Sequence, residues 1–263
     1  MRPPWVILSN KALRALYADL RQGDLILGML AIKREEEYLF TDLLARGIQG
    51  YPPLLSQALA RSKCFQAFVF REFMVPLTLV IRDRHDLIRA VNKYGERGIG
   101  PVVTKQDRFN CGLGIHYWDH IENLYNQATL GQIPFPFVLQ PFVAKAVDIR
   151  VIILGDYEEA YTRRNPYNFR NNIFFGGEAK RYDLSEEERS LCHKIMQRGQ
   201  FPYAHIDLMV TPEGEVYLGE VNLRGGLKGA QIQTLVYQNK LEAMRQAFLE
   251  AWLARYPEAE LKS

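Results

Sequence analysis

Phe201-Pro202-Tyr203-Ala204-His205-Ile206-Asp207-Leu208-Met209-Val210 and Val216-Tyr217-Leu218-Gly219-Glu220-Val221-Asn222 are two apolar runs flanking Thr211-Pro212-Glu213-Gly214. That tetrapeptide has the chemistry of a four-residue hairpin loop. With such a loop Val210 pairs with Glu215, setting Asp207 opposite Leu218 and His205 opposite Glu220. Strand side chains alternate faces, so Asp207, Glu220 and Asn222 emerge together from an otherwise apolar ribbon. A three- or five-residue loop would break this parity.

Carboxylates crowded among apolar residues repel each other and lose hydration unless a partner offsets the loss. Oxygen-only donors favour a hard cation, and Mg²⁺ commonly uses one or two carboxylates together with phosphate oxygens. The plain alternative is an edge hairpin whose acids face solvent. Against it stands the sequel, Leu223-Arg224-Gly225-Gly226-Leu227-Lys228-Gly229-Ala230. This cationic, glycine-rich segment can approach anionic groups through its backbone.

The totals narrow the class. A chain of 263 residues, 48% hydrophobic and 24% charged, has the composition of an ordinary globular protein with room for one large domain or two to three small ones. A formal net charge of +3 suits a protein that handles phosphates and carboxylates and gives no argument for nucleic acid. Cys64, Cys111 and Cys192 are scattered without C-x-x-C spacing, so no disulfide framework or zinc site is indicated. The first residues lack a signal-peptide core, and no apolar run reaches the roughly 18 residues that span a bilayer. A soluble cytoplasmic protein with no membrane partner is the expectation.

Taken in order, Trp5 to Ser9 reads as a strand, Lys11 to Arg21 as a helix, Asp24 to Ile32 as a second apolar run and Glu35 to Ala45 as a second helix. Residues 1–60 thus form a small α/β unit without a dinucleotide G-x-G-x-x-G, left at Tyr51-Pro52-Pro53. A helix follows from Ser62-Lys63 to about Phe73, then the strand Thr78 to Ile81 and a helix capped by Asp83 that runs to about Arg97. Val102 to Lys105 and Ile115 to Trp118 are strands joined by a loop containing Gly112 and Gly114, and Asp119 with Glu122 resembles the cap of a helix to about Thr129. Strand, lysine, glycine loop, strand is a serviceable phosphate flap, although a plain hairpin turn reads the same way, and no Walker loop occurs. His116 and His120 straddle a strand and a helix, which argues against a metal pair.

Phe135 to Val143 is an apolar connector strand, and Val147 to Asp156 a strand and turn. Arg150, Arg163, Arg164 and Arg170 fall within about twenty residues of β structure, spaced for strands meeting at one cleft; a solvated basic face is the commoner meaning of such residues. Ser185-Glu186-Glu187-Glu188 is a capping box opening a helix to about Arg198, and Ala230 to Tyr256 reads as one long amphipathic helix.

In this order the pieces resemble an ATP-grasp ligase, with greatest similarity to the RimK-like branch. The resemblance covers roughly Ser62 to Gly229 and rests on a set of motifs: Ser62-Lys63, Val103-Thr104-Lys105 with its glycine loop, Gln140-Pro141-Phe142-Val143, Asp148-Ile149-Arg150, Arg170-Asn171-Asn172, Gly176-Gly177, Ile206-Asp207-Leu208 and Glu220-Val221-Asn222. It implies an α/β (α+β) architecture, the nucleotide held between two α+β subdomains behind a shortened α/β N-terminal domain. The corresponding division is 1–60, 61–136 with the glycine loop, and 137–263 with the metal site.

Residue by residue, the resemblance implies that Lys63 and Lys105 reach ATP and that Gly112 and Gly114 cover its phosphates. Gln140, Phe142 and Val143 would form the adenine hinge, with Asp148 near the ribose. Arg164 (or its neighbour Arg163), Arg170 and Asn172 would contact the γ-phosphate or the incoming carboxylate. Asp207, Glu220 and Asn222 would hold two Mg²⁺ ions, with Mn²⁺ an acceptable substitute. The implied partners are ATP, a carboxylate substrate and an amine acceptor, peptide or small molecule; dimers are common among such ligases. Two departures stand out. The segment from Gln140 to Asp148 is shorter than the family pattern, and Leu223-Arg224-Gly225-Gly226 replaces the usual small residue, Ser, Pro, Gly. Arg224 and Lys228 are therefore expected to bind an anionic substrate group, and His205 is a candidate amine base or simply a packed neighbour. The implied activity is amide-bond formation through an acyl phosphate. A small-molecule kinase and a non-catalytic ATP-binding regulator are the alternatives.

Overall fold

Three β-sheets drawn from different stretches of chain set the architecture of the computed structural model, which describes residues 2–109, 113–166 and 177–263. The first sheet contains β1 (Trp5–Ile7), β2 (Leu25–Leu27) and β3 (Gln49–Tyr51), all parallel, with α1 (Asn10–Leu16) and α2 (Tyr38–Ala45) in the crossovers. Ser9 starts α1 by accepting a hydrogen bond from the Ala12 N–H, which satisfies one of the free donors of a helix N-terminus. The helix expected to Arg21 ends at Leu16 and tightens into a 3₁₀ turn, Tyr17–Asp19. Leu13, Ile26, Phe40 and Leu43 pack as a separate small core behind this sheet.

The middle sheet is antiparallel, with β4 (Leu79–Ile81), β5 (Val102–Gln106), β6 (Ile115–Trp118) and β7 (Phe137–Pro141) in the order β4-β7-β5-β6. Before it run α3 (Leu54–Leu59) and α4 (Lys63–Val69), and α5 (Arg84–Glu96) and α6 (Ile121–Thr129) fill its connections. Asp83 caps α5 as expected, accepting from the Asp86 N–H. At α6 the cap position falls to His120, which makes no side-chain bond there, rather than to Asp119.

The third sheet is antiparallel, in the order β10-β9-β8-β11-β12, from β8 (Val147–Leu154), β9 (Tyr157–Arg164), β10 (Glu178–Tyr182), β11 (Tyr203–Val210) and β12 (Val216–Asn222). Around it pack α7 (Glu186–Gly199), opened by the Ser185–Glu188 capping box, and α8 (Thr234–Leu253), shorter than the expected 230–256 span. Ile149, Val151, Ile152, Ile206, Val221 and Trp252 lie in the largest core cluster and are essentially solvent-free. Each such side chain contributes on the order of 1.5–3 kcal/mol through burial.

The sheets cut the chain differently from the expected division. β7 begins at Phe137, where the third segment was expected to start, yet pairs along its whole length with β5, from Val102↔Pro141 to Gln106↔Phe137. The final strand, β13 (Glu260–Lys262), lies parallel to β1 and so completes the first sheet. Cys64 and Cys192 are buried free thiols. Among the described residues no helix is long and apolar enough to cross a membrane.

Candidate active site

The hairpin that organises the chain has a register other than the expected one. Val210 pairs with Val216, so the loop is Thr211 to Glu215, one residue longer than expected, and this alone would turn the acids to opposite faces. A bulge corrects the slip. Leu208 faces Leu218 while Asp207 faces Glu220, leaving Gly219 as the extra residue. A Cβ on Gly219 would lie 3.1 Å from the Asp207 carbonyl oxygen, so the bulge is closely packed. Asp207 and Glu220 thus face each other directly, and His205 and Asn222 form the pair two rungs along, beyond Ile206 and Val221.

Cations surround this pair. Arg150 on β8 grips Asp207 with two parallel bonds, Nε to Oδ1 at 2.7 Å and Nη2 to Oδ2 at 2.8 Å. Arg163 on β9 adds Nη2 to Oδ2 at 2.9 Å and holds Asp148 through Nε at 2.6 Å. Burial pushes the Asp207 carboxyl up, but Arg150 and Arg163 reverse this and hold it below the usual carboxylate range. Asp148 goes the other way: burial raises it, and Asp207 repels its charge against the pull of Arg163. Lys63 Nζ reaches Glu220 Oε1 at 3.1 Å, and Lys105 Nζ donates to the Gly219 carbonyl at 3.3 Å. Desolvation lowers Lys105, partly countered by Glu220.

Lys63 is delivered to β12 by an anchor that strand counting did not reveal. Gln66, one turn along α4, donates Nε2 to the Val221 carbonyl at 2.8 Å and accepts from the Val221 N–H at 2.9 Å. Its amide thereby substitutes for a further strand on the edge of β12. At the start of the same helix Asp107 accepts from Ser62 Oγ at 2.8 Å and from the Cys64 N–H at 3.1 Å, in keeping with the preference for negative charge at helix N-termini. The next residue, Arg108, is paired with Glu37 of the first unit. Gly114, at φ +74°, closes the other side of the glycine loop; a Cβ there would meet Gln106 Cβ at 2.9 Å.

Two cavities flank the cluster. The first, about 610 Å³, lies between the middle and third sheets and is lined by Lys105, Gln140, Phe142, Val143, Arg163, Arg164 and Met209 among others. Its walls are apolar at Val103, Ile115, Val147 and Met209, and Lys105, Lys145, Arg163 and Arg164 bring cations to it. The Phe142 N–H is already bonded to the Pro101 carbonyl at 3.0 Å. The second, about 750 Å³, opens beyond the C-terminal ends of β1, β2 and β3, at Leu8, Gly28 and Pro52, and is closed by α8 and the Arg224–Leu227 loop. Crevices at the carboxyl ends of parallel strands are where open α/β sheets receive ligands.

The wall between them is continuous. Arg163 lines the first cavity and touches Asp207; Asp207 touches Arg150; Arg150 Nη1 lies 3.3 Å from where a Gly225 Cβ would stand, and Gly225 lines the second cavity. The same absent Cβ would fall 2.6 Å from His205 Nδ1. His205 is fully buried, its Nε2 2.9 Å from the Tyr237 hydroxyl. Burial, with Arg150 adding to it, pushes its imidazole down to about 4.

Of the expected site residues, Lys63, Lys105, Asp207 and Glu220 meet in one cluster, with Asn222 two rungs along, while Gln140, Phe142, Val143 and Arg164 line the first cavity. Asp148 sits against Arg163 rather than among the lining residues of that cavity. Arg163, and not Arg164, reaches the carboxylates. Arg224 lines the second cavity beside Tyr203, and Lys228 is exposed. Gly112, Arg170 and Asn172 lie outside the described residues. Arg150 and Gln66 are additions; Arg150 was visible as a basic residue of the Asp-Ile-Arg motif, Gln66 not at all.

The donor set suits a hard divalent cation: two opposed carboxylates and an amide two rungs away, all oxygen donors. Among the described residues no third carboxylate, histidine or cysteine joins them. Mg²⁺ accepts such a sparse protein set because it retains water or takes phosphate oxygens for its remaining positions.

Comparison with known proteins agrees with this architecture. The model of the RimK-like ATP-grasp domain matches residues 58–241. The coenzyme gamma-F420-2:alpha-L-glutamate ligase of Methanocaldococcus jannaschii is 26% identical over 172 residues, 64% of this chain and 58% of that one. A probable alpha-L-glutamate ligase of Trichodesmium erythraeum is 27% identical over 196 residues, 72% of this chain and 64% of its own length. The chain therefore spans less than two thirds of these curated relatives. Among solved structures, the D-alanine–D-alanine ligase of Bacillus anthracis superposes with a TM-score of 0.62 over 94% of this chain and 86% of that one, at 17% identity, a likeness of fold.

Proposed function

The chain belongs to the RimK-like ATP-grasp family, and from that premise we propose that it is an ATP- and Mg²⁺-dependent carboxylate–amine ligase working through an acyl phosphate. One observation carries the reading: the Asp207–Glu220 pair with Arg150, Arg163 and Lys63 forms the partition between two cavities, each large enough for a small molecule. In this reading the first cavity takes ATP and the second the acid and amine. The relatives' names make L-glutamate the first co-substrate to test.

In the proposed reaction a substrate carboxylate oxygen attacks the γ-phosphorus, the bond to the β-bridging oxygen breaks, and ADP leaves. The amine nitrogen then attacks the acyl carbon, inorganic phosphate departs, and the amine loses a proton. Little covalent work falls to the protein. Its task is positioning and charge neutralisation. Asp207, Glu220 and Asn222 would hold the Mg²⁺, which when bound neutralises charge on the β- and γ-oxygens; Mn²⁺ is a reasonable substitute. Lys63 and Lys105 bring positive charge to the same place. The planar forks of Arg150 and Arg163 suit phosphate or carboxylate. Arg224, which has no carboxylate within ion-pair distance among the described residues, would bind an anionic group of the substrate in the second cavity. Arg170 and Asn172 keep their proposed roles at the γ-phosphate or the incoming carboxylate.

Hydroxylamine added to protein, ATP, Mg²⁺ and a panel of carboxylic acids tests the reading. Hydroxamate that depends on ATP, metal and one acid is expected. A stable phosphoester without hydroxamate would assign a kinase, and nucleotide binding without turnover on any acid–amine pair a regulatory protein.

A further inference from the structure

We propose that the groove between α4 and α5, floored by the open edge of β4, docks an acidic polypeptide segment that adds itself to the middle sheet as a strand. The inference is independent of the ligase reading. Among the described residues β4 is an edge strand, paired only with β7, so half of its N–H and C=O groups point away from the ladder. A groove of about 350 Å³ runs alongside it, from Phe68 on α4 to Lys93 on α5. Small residues on the two helices, Ala67 and Ala90, form its buried walls and leave width for an extended chain.

The rim sets the partner's chemistry. Arg71, Arg82, Arg89 and Lys93 line the groove against the single carboxylate of Asp86. Asp86 is already satisfied, accepting from Arg82 Nη1 at 3.2 Å and Arg89 Nη2 at 2.5 Å. Among the described residues Arg71 and Lys93 have no ion-pair partner. Phe68 stands 69% exposed at one end, an apolar anchor without cover. Main-chain edge, excess positive charge and one aromatic anchor together suit a strand carrying acidic side chains. A nucleic acid would use the charge but not the edge. The groove is also separate from the reaction site: α4 carries Lys63 at its first turn and Phe68 near its last, about 7–8 Å along the axis.

The test uses the full-length chain and a fluorescein-labelled twelve-residue peptide of alternating Glu and Val, read by fluorescence anisotropy. Saturable binding is expected that weakens with salt and falls at least tenfold in the Arg71→Glu, Lys93→Glu double variant, and also in Phe68→Ser. Affinity for an ATP analogue should be unchanged in all of these variants. A peptide N-methylated at alternate positions, which leaves the protein untouched, should bind at least tenfold more weakly because it cannot complete a ladder. Absence of binding would overturn the proposal. So would equal binding by the variants or by the N-methylated peptide, or displacement of the peptide by a labelled twelve-nucleotide single strand at lower concentration.

Discussion

Asp207 and Glu220 stand face to face across the β11–β12 ladder only because a bulge at Gly219 cancels the displacement introduced by a five-residue turn. Their surroundings differ: Asp207 is clasped by two partly buried arginines, Glu220 by one lysine. The two acids should therefore fail in different ways. Asp207→Asn strips the counter-charge from Arg150 and Arg163, and breaking a buried pair from one side costs about 3–5 kcal/mol. Glu220→Gln keeps its shape and should cost about 1 kcal/mol. Both should lower ATP-dependent turnover by about 100-fold or more. Thermal unfolding and a coupled ADP assay on the two variants, run in parallel, check the contrast.

Gly225 is the second test. A methyl group there meets His205 Nδ1 at 2.6 Å and Arg150 Nη1 at 3.3 Å; His205 is fully buried and Arg150 is held by Asp207, so neither retreats freely. Gly225→Ala should cost about 1–3 kcal/mol of stability and weaken turnover by shifting Arg150. Gly226→Ala, where a Cβ meets nothing within 4 Å, is the matched control and should be near neutral. Equal behaviour of the two in a melting experiment would contradict the close approach.

Gln66→Leu removes both bonds to Val221 and the one to the Leu59 carbonyl. With those buried groups left unpaired, the loss should be about 2–3 kcal/mol, a fall in Tm of about 5–10 °C for a chain of this size. Nucleotide affinity should fall with it, because Lys63 rides on the same helix.

His205 gives the pH dependence. Its imidazole titrates at about 4 when folded, against 6.5 for an ordinary histidine. Between those values the unfolded chain binds more protons than the folded one, so stability rises with pH through this window and is lost as pH falls through it. The full difference is on the order of 3 kcal/mol. Urea unfolding at pH 4.5 and 7 should show a gap that shrinks by about this amount in His205→Gln.

Much of this was legible in the chain, and the gaps have physical causes. The convergence of Asp207, Glu220 and Asn222 was reached through the wrong register. A four-residue loop without a bulge and a five-residue loop with one give the same parity, and the glycine at 219 was the only local sign of the second. Arg150 and Arg163 could be seen as basic residues, but their clasp on Asp207 depends on β8 lying between β9 and β11, a strand order that no local pattern encodes. Gln66 meets Val221 across 155 residues of sequence. A glutamine on a short helix carries no mark of such a partner. The same limit explains β7 and β13, each an ordinary short apolar or mixed run whose sheet is chosen by distant neighbours.

The Arg108–Glu37 pair ties the strand-joining loop of the middle sheet to the α/β unit that borders the other cavity. Two parts of the chain that lie 71 residues apart in sequence are thereby held at one point by a single ionic clasp.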